Sequence, residues 1–394
     1  MPALAPAPTL AAPCADLLTS FASNVFGYLP RSDQRRWASA YLRGLLTAQG
    51  KKTIRQIARA SGAPEAAHQA LQQFISASPW DWTTARELLA QEAAARLPGP
   101  VWAMGLTVIE KRGDHSVGVH RRVVPESGRT LNCQVAIGLF LASDSRSIPV
   151  DWQLLLPDGW LADEPRRSRA RIPGWAAEQP AWARALDSAD RLSTPWISRR
   201  TTLVADLCVG VDPVRLAAQL TARGRDFLIE VRPSQRVAAH RARPAGVVPE
   251  GFVEAQQLLR LAGLRHPHPL GSDHSGHGRR AAVRSSLVRL PGGGPTSHGG
   301  QRVHRLFAEF LPMRPRPHRY WITSLVDHRI ADVVPLTHRA ALTHGAIRTL
   351  ENDYGLLDFE GRSFPGWHHH MTLATAAYVY DHLRHDALDH QAAA

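Results

Sequence analysis

Val101 to Gly113 reads VWAMGLTVIEKRG, an apolar run closed by Glu110, Lys111, Arg112 and a glycine. Pro98-Gly99-Pro100 breaks the chain before it, and the run from Val101 to Ile109 predicts a buried strand. The same kind of text continues downstream. HSVGV (His115 to Val119), NCQVAIGLFLA (Asn132 to Ala142) and DWQLLL (Asp151 to Leu156) predict further strands, with turn residues at Glu126 to Arg129 and Pro157-Asp158-Gly159. A helix at Trp182 to Leu192, a strand at Thr201 to Asp206, a helix at Pro213 to Arg223 and a strand at Phe227 to Val231 follow. Strands in series that then alternate with helices describe an α/β fold with a mixed sheet.

Upstream of the first strand the periodicity is helical. Trp37, Tyr41, Leu42, Leu45 and Leu46 recur at three-to-four spacing until Gly50. Thr53 to Phe74 reads as two short helices around Ser61-Gly62, the outline of a helix-turn-helix, although helical bundles that touch no DNA share it. Residues 19–98 are therefore expected as an all-helical domain, after a disordered tail at 1–18 and before a sheet domain at 99–394. Composition shifts to Gly and His between 265 and 301, which predicts an inserted loop or small subdomain there. Its His266, His268, His274 and His277 sit in too flexible a setting for a structural metal site. Arg319 to Leu325 predicts a strand, and Asp332 to Tyr354 a helical stretch. DFEGRSFPGWHHHMTL (Asp358 to Leu373) predicts a loop of charge and imidazole at the mouth of a helix running from Met371 to Leu383. Unpaired N–H groups at such a helix start favour anions.

With 394 residues and 44% hydrophobic content the chain is long enough for two or three domains. No apolar run reaches the roughly 18 residues that a membrane span needs. Cys14, Cys133 and Cys208 are far apart, which speaks against a disulfide framework or a zinc site and for a reducing cytoplasm. Lysine and arginine total 47 against 34 acids, a net charge of +13. Lys51, Lys52 and Lys111 are the only lysines, so nearly all the positive charge is arginine, suited to bidentate phosphate contacts. The charge balance points to nucleic acid, while a general compositional bias toward Ala, Arg, Gly and Pro would raise arginine as well.

The C-terminal text E-G-R-S-F-P-G-W-H-H-H (Glu360 to His370) resembles the signature of bacterial DDE transposases of the insertion-sequence-701 family. Ordered matches run through most of the chain: AYLRGLL at Ala40, FISASPWDW at Phe74, KRGDHSVGV at Lys111, NCQV at Asn132, RSRARIP at Arg167 and VAD at Val204. The resemblance implies an RNase H-like core, a duplex DNA partner, a cytoplasmic, nucleoid-associated setting and Mg²⁺ held by three carboxylates: one on the first strand, one at the end of the fourth, one on a late helix. It leaves a homo-oligomer open.

Carried over residue by residue, the resemblance makes Asp206 the second acid and Glu351, in the context E-x-D-Y, the third; both are the expected metal ligands. The first acid is missing. Gly105 and Leu106 stand where two aspartates are expected, and the nearest carboxylate, Glu110, is displaced by about 13–17 Å along a strand. The residues after Glu351 are shortened by about two helical turns. DNA contacts are assigned to Lys51, Lys52, Arg55 and Arg59, to Lys111 and Arg112, and to Arg362, His368 and His370. Three readings follow. In the first the protein binds DNA with its phosphoryl transfer weak or lost; in the second it is an active transposase in which Glu110 or another carboxylate stands in for the missing acid. In the third the scaffold serves small-molecule chemistry through Asp206, Glu351, Glu360, His115, His368 and His370.

Overall fold

A computed structural model of the chain describes residues 12–393 other than 65, 125–127, 194–196, 208–209, 241–250, 263, 270–279, 293–301 and 311–315. The chain divides into two compact units: Met1–Pro100 with Leu106–Ile197 and Thr343–Ala394, and Val101–Gly105 with Ser198–Leu342.

The first unit opens with helices α1 (Ala12–Phe26), α2 (Ser32–Thr47), α3 (Ile54–Ala60), α4 (Ala67–Ser76) and α5 (Trp82–Ala94). Strand β1 (Val101–Glu110) starts in the second unit and enters the first after Gly105; β2 (His120–Val124), β3 (Arg129–Ala142) and β4 (Ser147–Leu154) follow. Four helices come next: α6 (Asp158–Leu161), α7 (Glu164–Arg169), α8 (Gly174–Glu178) and α9 (Ala181–Arg191). The second unit resumes with β5 (Leu203–Ala205), α10 (Pro213–Ala222), β6 (Phe227–Val231), β7 (Arg236–Ala239), β8 (Val253–Glu254), α11 (Ala255–Ala262), β9 (Leu264–Pro269), β10 (Arg280–Arg289), β11 (His304–Phe310), β12 (Arg319–Thr323) and α12 (Ile330–Val333). Helix α13 (Leu336–Asp353) begins in the second unit and ends in the first, and α14 (Phe364–Ala393) closes the chain.

In the first unit β3 is long enough to pair β2 through its early residues, Arg129 to Cys133, and β4 through its late ones, Ala136 to Ala142. The text HSVGV, expected as a strand, is a turn: Gly118 takes a φ of +74°, and the strand begins at His120. Helix α14 packs on α1, α2, α4, α5 and β4. Phe364 to Tyr380 is buried on nearly every side, Pro365 excepted, as a helix apolar all round must be. The N-terminal helices therefore share one core with the C-terminal helix. Only residues 1–11 of the expected tail lie outside the described residues; Leu18 of α1 is already core.

The expected loop before Met371 is shorter than the sequence suggested. Helix α14 begins at Phe364, so His368, His369 and His370 lie inside it. Pro365 lies in the first turn of α14, where a proline needs no N–H partner and does not end the helix.

In the second unit β1 pairs parallel with β5, and β5 parallel with β6. An antiparallel series then continues from β6 through β12 and β11 to β10, which also pairs β7 and β9. Within 265–301, Arg280–Arg289 is thus a sheet strand, with Val283, Ser285 and Val288 buried. His274 and His277 lie outside the described residues. A mixed sheet in which parallel strands are continued by an antiparallel series, with helices packed on it, is the RNase H-like α/β arrangement.

Candidate functional site

The second unit builds its charged centre where the parallel strands end. Met104 pairs Ala205 and Ala205 pairs Ile229, so the next residues along, Gly105 within β1, Asp206 just past β5 and Glu230 near the end of β6, are neighbours. The Asp206 N–H donates to the Met104 carbonyl at 3.1 Å, which fixes this register. From the antiparallel strand β12, Arg319 reaches both acids: its Nη2 donates to Asp206 Oδ2 and to Glu230 Oε2. The three side chains are only 13–17% exposed. Arg319 lies over the Trp321 ring, 4.4 Å from its centroid, and the Trp321 indole N–H donates to Glu309 at 2.6 Å. Burial, followed by the charge of Asp206, pushes the Glu230 carboxyl up to about 7, against the pull of Arg319.

These residues do not fit the expected magnesium cradle. The position beside Asp206 that should carry the first acid is Gly105, which has no side chain, and the Asp206 carboxylate is already engaged by a guanidinium. Glu110 does not fill that place: it is exposed at the end of β1, five residues beyond Gly105 and about 16 Å further along the strand. Glu351 is on α13 in the first unit, where its Oε1 accepts from the Thr107 hydroxyl of β1 at 2.5 Å. Among the described residues of each unit, no group of three or more His, Cys, Asp or Glu is arranged to hold a metal ion.

The residues assigned to DNA divide by exposure. Lys51, Arg55, Arg59, Arg112 and Arg362 are exposed on the first unit, with Lys51 in an ion pair to Glu360 at 2.7 Å. Lys52 and Lys111 are turned inward. Lys52 is 5% exposed, its ammonium donating to the Ala48 carbonyl. Lys111 donates to the Phe359 carbonyl at 2.6 Å, and burial lowers its pKa to about 8.

The assignment of His368 and His370 to DNA, and to small-molecule chemistry, is corrected by their burial: they are 0% and 1% exposed. His368 stacks on Trp82 and its Nδ1 accepts from Arg86 at 3.2 Å. His369 stacks on Trp80 between the carbonyls of Ile75 and Trp80. His370 links the Tyr41 hydroxyl, at 2.9 Å from Nδ1, to the Gly355 carbonyl, at 2.8 Å from Nε2. Burial, first among the causes, lowers the pKa of all three, to about 4 for His369 and His370. All three pin α14 to the N-terminal helices and the loop at Trp80, and the partners of His370, one donor and one acceptor, suit a neutral ring. His115, named with them, is exposed beside Asp114.

Glu230 and Arg319 were not singled out from the sequence. Each lies in an unremarkable strand, FLIEV or RYWIT, and their bond spans 89 positions. The available signal was a carboxylate level with Asp206 on the neighbouring strand, and it needed the strand pairing to be seen.

A family model described as DDE superfamily endonuclease matches residues 24–290. No curated protein matches the chain.

Proposed function

Because the chain belongs to the DDE superfamily of endonucleases, we propose that it is a transposase-type protein that binds duplex DNA and whose metal-dependent phosphoryl transfer is weak or lost. The observation that carries this reading is that Gly105 follows the Met104–Ala205 pair, beside Asp206, while Arg319 neutralises that acid. Two-ion phosphoryl transfer needs carboxylates free to hold and space the ions, and here one is missing and another is engaged. Supercoiled plasmid incubated with the protein in Mg²⁺ or Mn²⁺ should show no nicking above that of D206N. Nicking by the wild type that D206N abolishes would overturn the reading.

The DNA-binding half rests on the first unit. Arg55 and Arg59 are exposed on α3, and Arg55 lines a groove with His68, Gln69, Gln72 and Gln73 of α4. Arginines supply phosphate contacts, and glutamines suit base edges in a major groove. Fluorescence anisotropy on duplex DNA should show affinity falling steeply with salt. The double variant R55A/R59A should bind about tenfold or more weakly and lower the log–log salt slope by about 2, since each lost phosphate contact removes about 0.9. An unchanged slope would place the DNA elsewhere. Such a protein belongs on the nucleoid, in the cytoplasm.

A further inference from the structure

We propose that Arg319 is a built-in cation standing where a divalent ion would bridge Asp206 and Glu230, and that it keeps this carboxylate pair closed to Mn²⁺ and Mg²⁺. The inference rests on the reading that ion-dependent transfer is weak or lost, and it names the residue responsible and a second acid, Glu230.

Three observations carry it. First, the strand register sets Asp206 and Glu230 side by side on neighbouring parallel strands, the kind of oxygen pair that hard divalent ions use. Second, a single nitrogen, Arg319 Nη2, reaches both carboxylates, so one positive centre bridges them as an ion would. Third, the guanidinium is held from behind: it lies over Trp321, whose indole is anchored on Glu309. A groove of about 470 Å³, lined by Leu207, Asp212, Leu216, Glu230, Arg232 and Gln235 among others, opens beside Glu230 and gives small ions access. The guanidinium thus occupies the space between the two carboxylates, and a divalent ion could enter only by expelling it.

The test is thermal unfolding of the full-length protein with and without millimolar Mn²⁺, paired with the loss of the free Mn²⁺ electron paramagnetic resonance signal. Wild type should show neither a shift in Tm nor Mn²⁺ uptake dependent on Asp206. R319A should gain about 5 °C in Mn²⁺ and take up the ion, and R319A/D206N and R319A/E230Q should lose both effects. R319K, which keeps the charge, should behave as wild type. Should R319A not fold, R319Q carries the same measurement, and the wild-type arm stands by itself. Asp206-dependent Mn²⁺ uptake by the wild type would overturn the proposal, as would a folded R319A or R319Q that ignores the ion. Failure here is separable from failure of the functional reading: Mg²⁺-dependent nicking by the wild type sinks that reading, whereas an inert wild type with a metal-blind R319A sinks this inference alone.

Discussion

Arg86→Met is expected to destabilise the protein by about 3–5 kcal/mol, read as a lowered urea midpoint, because it strips the partner from a buried carboxylate. Arg86 on α5 is 1% exposed and ion-pairs with Asp151 on β4. Its other donors reach the Trp152 carbonyl at 2.9 Å, the Thr372 hydroxyl at 2.8 Å and the His368 carbonyl at 3.1 Å. One side chain thus ties a strand of the first unit to both α5 and α14. Burial pushes the Asp151 carboxyl up, yet the charge of Arg86 and hydrogen bonds from Ser188 and Gln153 hold it below its ordinary value. Methionine fills most of the volume and supplies none of the donors, so Asp151 would be left charged and unpaired, or protonated at a cost. Adding Asp151→Asn removes the stranded charge, and the double variant should recover about 2 kcal/mol of the loss, the coupling that a double-mutant cycle measures. A single R86M variant within about 1 kcal/mol of wild type would mean that the bridge contributes nothing.

Arg86 also shows where reading the sequence stops. The strands β1, β5 and β6 were legible because each is a short apolar run between breakers, and the helices of residues 19–98 because their apolar residues keep helical spacing. Asp206 and the missing acid at Gly105 were read through the family resemblance, the first from the text VAD and the second by counting back from Lys111, since an acid closing a strand is by itself as often a cap. What each charged side chain faces was not legible. Arg86 and Asp151 are 65 positions apart, and Asp206 and Arg319 are 113 apart; only strand pairing and helix packing bring them together. The histidine triplet failed for a related reason. Three imidazoles beside prolines and glycines have the composition of a surface loop, and composition alone does not distinguish a polar residue that is solvated from one whose partners are all inside. The partners come from α2, α4, α5 and the turn at Gly355, which no local pattern near His368 announces.

Those partners make the second large effect a pH effect, and His370 is where it is cleanest. Its Nε2–H donates to the Gly355 carbonyl and its Nδ1 accepts from the Tyr41 hydroxyl, a set that suits the neutral ring. Burial is the main cause of its pKa of about 4; Lys111 lowers it further, while the Gly355 bond and Asp358 raise it. A histidine held neutral in the fold, in a chain that takes up a proton below about 6.5 when unfolded, stabilises fully above about 6.5. That stability is lost as pH falls from about 6.5 toward about 4. By pH 5 the loss for His370 is about 2 kcal/mol. His368 and His369 act in the same direction, although the two carbonyls around His369 favour its protonated form more than the partners of the others do. Glu230 acts oppositely: with its pKa raised to about 7, it stabilises fully below about 4.5 and loses that contribution as pH rises through about 7. The raw pH profile of the wild type therefore mixes both. Comparing H370Q with wild type cancels Glu230, because that residue is common to both proteins. Glutamine can still donate to Gly355 and accept from Tyr41 but does not titrate. H370Q should cost about 3 kcal/mol at pH 7.5, from lost ring packing and imperfect hydrogen bonds, and only about 1 kcal/mol at pH 5, where the wild type has already surrendered the difference. Urea unfolding of the two proteins at both pH values measures it directly, and a cost that does not shrink in acid would show that His370 is not held neutral by the fold.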